Sequence, residues 1–353
     1  MTTKKYLVKL IPHDKFFFGG ERTFGENNQA NYFVVSNYFP QQTGILGLMR
    51  HQLLLQCGDE TIFKDNKIVK GNKVNNLIGE KSFTIDGGFN FGAIKSLSPV
   101  FICDSNTEDN DDRFYFPANK EYQWYEKLND KCEKETVNEF LQIELKPYPL
   151  LKKYEAKFGL PDLLMNKYGE LLKYEDIFKK HKQVGIRKQY EGGTDEKAYY
   201  IQTFYKLIQN FSFAFIVELD EKAGFLSQDV VVFGGEQQAF KMEVDVFSEG
   251  INDLIPNFEK SDNSDKVVLV SDAYVAQDIM NVCEFAITET VDFKFLVTTN
   301  STTNYYSEPK KSDKYNLYKK GSVFYGDTGK ITEILENKRF EKIGYNIYKT
   351  IKK

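Results

Sequence analysis

The segment Pro40-Gln41-Gln42-Thr43-Gly44-Ile45-Leu46-Gly47-Leu48-Met49-Arg50 joins a turn, a helix start and an arginine to two glycines. Thr43 is placed to cap the orphan amides of the following helix, and Gly44 and Gly47 admit a backbone or a phosphate at close range. Such a helix start cradles an anion. Gln41 and Gln42 add amides and Arg50 a guanidinium, the groups that hold single-stranded RNA by its phosphates. Just upstream, Phe16-Phe17-Phe18-Gly19-Gly20-Glu21-Arg22 reads as an aromatic loop with a flexible, partly charged tip. A base stacked on Phe17 or Phe18 gains about 1–3 kcal/mol. The plainer reading makes both phenylalanines core residues and Thr43 only a cap.

Two further clusters carry cations. Arg187, Lys188 and Tyr190 lie on an expected hairpin, preceded by Lys179-Lys180-His181-Lys182. Lys319 and Lys320 precede Gly321-Ser322, where backbone amides offer phosphate contact, although a tight strand entry explains the glycine equally well. A charge run is more often a solvated face, and salt-dependent RNA affinity separates the two readings. Other chemistry is sparse: no Walker A spacing, GxSxG elbow, HExxH or paired DxD run is present. Cys57, Cys103, Cys132 and Cys283 lack CxxC spacing, and His13, His51 and His181 lie far apart, so no zinc site or disulfide scaffold is expected. The acidic run from Asp104 to Asp112 reads as a solvated loop, not a metal site.

The elements that must position these residues follow from length and pattern. A chain of 353 residues exceeds the usual ceiling for one core, so two domains are expected. With 41% hydrophobic residues, 30 Phe and 22 Tyr, it has ample material for globular cores. The net charge of −4 and pI near 5.7 exclude a uniformly basic surface, so any RNA contact is a local patch. The amino terminus runs straight into an alternating strand, Lys5 to Ile11, without an apolar signal core. No apolar run approaches membrane-spanning length, and free thiols suit a reducing cytoplasm. Further strands are expected at Leu97–Ile102, Phe211–Leu219, Val230–Phe233, Lys266–Val270, Phe293–Thr298, Ser322–Tyr325 and Ile343–Tyr348. The spacing of Leu163, Leu164, Tyr168, Leu171 and Leu172 predicts a helical layer inserted at about 120–182, and a short helix is expected from Glu221 to Gln228. Val184–Arg187 and Ala198–Ile201, around Gly192-Gly193, predict a projecting hairpin at about 183–202. The expected class is α+β, with two antiparallel sheets in domains spanning 1–202 and 203–353.

These segments, in this order, resemble the third-subunit family of the type III-B CRISPR effector, the Cmr complex, within the RAMP superfamily. The resemblance rests on Phe17-Phe18-Gly19-Gly20, the segment from Pro40 to Arg50, Tyr115-Phe116-Pro117-Ala118-Asn119-Lys120, Val184-Gly185-Ile186-Arg187 with Tyr199-Tyr200, Gly234-Gly235-Glu236, and Lys320-Gly321-Ser322-Val323-Phe324-Tyr325. It implies two ferredoxin-like, RRM-type domains and a binding subunit without its own active site, cofactor or metal. The expected partners are the 5′ tag of the CRISPR RNA, the large polymerase-like subunit and the backbone subunit, with no membrane. The implied RNA-contacting set is Phe17, Phe18, Gly19, Gly20, Arg22, Gln41, Gln42, Thr43, Arg50, Arg187, Lys188, Tyr190, Gly234, Gly235, Lys320 and Ser322. Two departures stand out: Gln238 where a basic residue is expected, and a terminal glycine-rich loop reduced to Ile343-Gly344-Tyr345-Asn346. Two other readings stay open. One is an endoribonuclease using a histidine as general base, His51 being better placed than His13. The other is a pure assembly protein using Tyr199, Tyr200, Tyr205 and the Tyr305-Tyr306 pair at protein interfaces.

Overall fold

The computed structural model describes residues 2–20, 22–24, 32–64, 67–69, 71–105, 113–128, 134–140, 160, 162–188, 194–224, 226–258, 265–298 and 309–352. Its largest sheet is organised around β1 (Thr3–Pro12). Alternation sends Tyr6, Val8 and Leu10 to one core and Leu7 to the other, as a strand buried on both faces requires. The strands Phe211–Asp220 and Ala239–Val246 flank β1, both antiparallel. Beyond the former lie Phe101–Asp104, Arg113–Pro117, Leu163–Asn166 and Leu171–Lys173; Asp229–Val232 forms the opposite edge.

A second sheet has Cys283–Ile287, Val323–Gly326, Lys266–Leu269 and Tyr348–Ile351 in that spatial order, all antiparallel. In chain order this is second, third, first, fourth. The same order holds in the first sheet for Phe101–Asp104, Phe211–Asp220, β1 and Ala239–Val246. The two differ in their helices. The first sheet has α1 (Gln42–Gln56) between its first and second strands, and only short turns and an edge strand between its third and fourth. The second has the helix Thr328–Leu335 between its third and fourth, and a single 3-10 turn, Ile279–Asn281, between its first and second.

The layers run α1, first sheet, second sheet, helix. Ile45, Leu46 and Met49 of α1 pack with Val8, Phe213 and Phe240. The other face of the first sheet, with Leu7, Phe101 and Ile216, packs against Val268, Val323 and Ile351 of the second. Val267, Leu269 and Phe324 turn outward to Ile331 and Leu335 of the helix. A third sheet, four-stranded, joins Phe178–Lys188, Thr194–Leu207, Tyr32–Val35 and Arg22–Phe24.

Several expectations are corrected. The described part of the inserted layer is largely strand: Tyr122–Leu128 pairs with Lys134–Phe140, and Leu163–Asn166 with Leu171–Lys173. A helix is confined to Tyr174–Ile177. Asn166 is the reason, because its side chain accepts from the amides of Tyr168 and Glu170 at 3.0 Å and closes a turn. Leu163 and Leu164 then serve opposite cores, which mimics the dense apolar spacing of a buried helix. The hairpin is longer than expected, with strands of 11 and 14 residues. Thr203, taken as the boundary, lies inside the second of these, and the first sheet is complete only at Val246. A run buried on both faces, such as Phe213–Val217, reads equally as the start of a new sheet or the centre of an existing one. The Leu97–Ile102 strand is split at Ser98-Pro99, and Glu221–Gln228 yields only a 3-10 turn at Glu221–Ala223. Thr290–Phe293 and Leu296–Thr298 replace one strand, and the last strand starts at Tyr348, after a short helix and turn.

Candidate nucleic-acid interface

Three segments distant in the chain converge on the face bearing the hairpin. Phe16 bridges to Tyr205 of the hairpin, exchanging backbone bonds at 2.7 and 3.1 Å. The amide of Phe18 donates to Ser36 Oγ at 2.9 Å, and that of Asn37 to the Gly19 carbonyl at 2.8 Å. The amide of Gly235 donates to the Phe17 carbonyl at 2.7 Å. A Cβ at Gly234 would sit 2.8 Å from that carbonyl oxygen, so the two loops pack backbone to backbone. Glu236 and Gln237 follow in the left-handed region, at φ 58° and 52°, a conformation costing on the order of 1–3 kcal/mol per residue and found most at functional sites. Both are exposed.

The aromatic rings of this loop face inward. Phe17 packs on Phe204 at 5.5 Å between centroids, in a small cluster with Val34. Phe18, half-buried, touches Phe16, Phe213, Phe233 and Phe240. What this face offers a ligand is polar. Lys15 Nζ donates to Gln183 Oε1 at 2.6 Å and lies 4.5 Å over the Phe204 ring. Lys179 donates to the Glu175 carbonyl, and Lys206 pairs with Asp14. Lys180, His181 and Lys182 are exposed. Sequence reasoning missed Lys15, Gln183 and Gln202, because their convergence depends on the hairpin register. Arg187 and Lys188 end the first hairpin strand, and Arg22 begins a short strand at the opposite edge of the same sheet, but their side chains lie outside the described residues, as does Tyr190.

A second group lies in the seam between the two sheets. Helix α1 begins at Gln42, with Gln41 as its extended N-cap residue making no side-chain cap bond. Thr43 is therefore not the cap. The Gln41 carbonyl accepts from the amides of Gly44 and Ile45 at 2.9 and 3.2 Å, and the Gln42 amide donates to the Tyr345 hydroxyl at 3.2 Å. Burial pushes that hydroxyl's pKa far up, which keeps it neutral. Gln42 is 5% exposed, and its Nε2 donates to the Ser98 carbonyl at 2.7 Å. Gly344 is what allows this: with φ at +86°, a Cβ there would run into Gln42 Nε2 and the Ser98 carbonyl. A Cβ at Gly44 would meet only the Phe233 ring, at 3.6 Å, and one at Gly47 nothing within 4 Å. Arg50 donates to the Lys81 carbonyl at 2.9 Å and lies over the Phe91 ring.

Ser322 is fully buried, its Oγ donating to the Lys319 carbonyl at 2.6 Å. The Lys320 amide donates to Asp272 Oδ1 at 2.8 Å, and its ammonium sits 3.3 Å from the centre of the Phe39 ring. Burial pulls the Lys320 pKa down to about 8, against the opposing pull of Asp272. Beside it, Lys120 and Lys319 both bind Asp162 and Glu289 at 2.9–3.2 Å. Burial works against ionisation of Asp162 and Glu289, but the two lysines hold both below the usual carboxylate range. Deeper still, Lys266 and Glu121 pair at 2.8 Å with 0% and 1% exposure, and Tyr325 and Asn119 donate to the same carboxylate.

His13, His51 and His181 are exposed and have no side-chain hydrogen-bond partner among the described residues. Among the described residues no three His, Cys, Asp or Glu are placed to hold a metal ion, and no helix is long and apolar enough to cross a membrane. Cys57, Cys103 and Cys283 are free thiols; Cys132 lies outside the described residues.

No protein of curated function matches the chain. Among solved structures, one chain from "Cryo-EM structure of the Type III-B Cmr-beta bound to cognate target RNA" aligns with a TM-score of 0.51 and 14% identity, covering 98% of this chain and 96% of its own. That likeness concerns the fold. A chain from the same assembly with AMPPnP, state 1, gives 0.47 and 15% over 99% of both chains. One from "Crystal structure of Csm3-Csm4 subcomplex in the type III-A CRISPR-Cas interference complex" gives 0.37 and 13% over 91% and 93%. The family described as CRISPR-associated protein (Cas_Cmr3) matches residues 8–352, nearly end to end. By that match the chain belongs to the Cas_Cmr3 family of CRISPR-associated proteins.

Proposed function

We propose that the chain is a non-catalytic, cytoplasmic RNA-binding subunit of a type III-B CRISPR effector, holding the 5′ tag of the CRISPR RNA and bridging the large polymerase-like subunit to the backbone filament. Both sheets, with strand order second-third-first-fourth, then read as ferredoxin-like units, the architecture of RRM-type RNA binders. The observation that carries the proposal is the meeting of Phe17–Gly20, Gly234–Gln238 and the hairpin base on one face, with Lys15 and His181 on that face and Lys180 and Lys182 on the reverse face of the same hairpin strand. A backbone-lined cleft with local cations is how a chain of net charge −4 can hold a polyanion.

The test is binding of the full chain to a labelled RNA carrying the repeat-derived 5′ tag, across a salt series. Tight, uncut binding is expected, and the double substitution Lys180→Ala, Lys182→Ala should reduce the salt slope by about 2. Cleavage abolished by His51→Ala would replace this reading with the nuclease, and absence of binding at low salt would leave only an assembly role.

A further inference from the structure

The hairpin carries an aromatic feature that the cleft itself does not use. Gly185 and Tyr200 lie directly opposite each other on its two strands. A Cβ at Gly185 would run into Cζ and Oη of Tyr200, so the far half of the ring lies over the glycine. No other residue type at position 185 leaves that space. Tyr200 is half-buried. One cross-strand pair further along, on the same face, Gln183 lies opposite Gln202, about 7 Å away by sheet geometry. Gln183 uses its Oε1 to accept from Lys15, and Gln202 Nε2 reaches Glu236 Oε1 only at 3.5 Å. Gln183 Nε2 and Gln202 Oε1 are left without a partner among the described residues.

We propose that this face binds one unpaired nucleobase of single-stranded RNA, stacked on Tyr200, with its edge read by Gln183 and Gln202 and its phosphate on Lys15. A seated aromatic ring, a donor and an acceptor at its edge and an ammonium beyond them match base, base edge and phosphate in sequence. An apolar protein side chain would leave Gln183 Nε2 and Gln202 Oε1 unused. The inference rests on the RNA-binding reading above and names a contact within it.

The test uses the full chain and a short fluorescein-labelled oligoadenylate, with an abasic strand of the same length as control. Tyr200→Leu is expected to weaken binding about tenfold and Tyr200→Phe less than about twofold, the loss of one stacking contact. The abasic strand should bind the unaltered chain more weakly and be indifferent to Tyr200→Leu. In the unaltered chain, an oligonucleotide carrying 5-iodouridine should crosslink to the peptide containing Tyr200, a readout that needs no variant. Binding that persists within about twofold in Tyr200→Leu, or crosslinks mapping only elsewhere, overturns the base site and leaves the RNA-binding subunit standing. No oligoadenylate or tag binding by the unaltered chain at low salt overturns both and turns this face over to a protein partner.

Discussion

The cleft beside the hairpin and the seam between the sheets are built from the same materials: glycine pairs, amides, aromatic rings and lysines. In the seam most have been taken up by the fold, although Gln42 Oε1 and Asn119 Oδ1 are buried without a hydrogen-bond partner among the described residues. Gln42 is bonded to Ser98, Ser322 to Lys319, and Lys319 and Lys120 to two carboxylates. On the hairpin Lys180 and Lys182 are exposed, and beside it amide groups of Gln183 and Gln202 have no protein partner among the described residues while Glu236 and Gln237 hold a left-handed backbone. Residue type therefore does not separate a joint from a binding surface. What separates them is where the charged groups lie: Lys120 and Lys319 of the seam are paired with carboxylates, whereas Lys180 and Lys182 of the hairpin are exposed.

The comparison can be broken from either side. The largest effect is expected at Glu121→Ala, which strands the Lys266 ammonium in the interior and should lower unfolding free energy by about 3–5 kcal/mol in denaturant titration. A loss below about 1 kcal/mol would show that the seam does not hold the halves together. Next is Gly344→Ala, where a methyl group meets Gln42 and Ser98 at a left-handed backbone position, with an expected loss of about 1–3 kcal/mol. In the cleft the signature reverses. Gln238→Lys, adding a cation beside the Gly234–Gln237 turn, should leave stability within about 0.5 kcal/mol and steepen the salt dependence of RNA binding by about one counterion.

The remaining test is a pH signature in the seam. The Lys320 pKa is near 8 when folded and ordinary when unfolded, so between pH 8 and about 10 the unfolded chain holds more protons and stability rises with pH. Lys320→Met should flatten that rise. Above that window the raised tyrosines Tyr325 and Tyr345 act in the opposite sense, so the two chains are compared within it.

The alternation in Lys5–Ile11 and the apolar run Phe211–Leu219 made the centre of the first sheet readable from sequence. The helix at Gln42 was readable too, but not its cap, because the group that meets its first amide is a tyrosine 303 positions away. The inserted layer misled because Leu163–Met165 is buried on both faces, which erases the period that distinguishes strand from helix. At the candidate site, close approach was expected at Gly44 and Gly47, where a Cβ would meet only the Phe233 ring or nothing, and it occurs instead at Gly234 and Gly344. Gly234 receives the Phe17 loop and Gly344 receives Gln42, and only three-dimensional register shows that one faces the cleft and the other the seam.

The stacked layers carry a consequence for any attempt to divide the chain. Leu7, Ile216 and Phe101 share one apolar filling with Val268, Val323 and Ile351, so neither sheet owns a complete interior. A truncation near Val246 would bare that filling on both fragments, and each should precipitate or require the other for soluble expression. The two sheets share a strand order and one apolar interior.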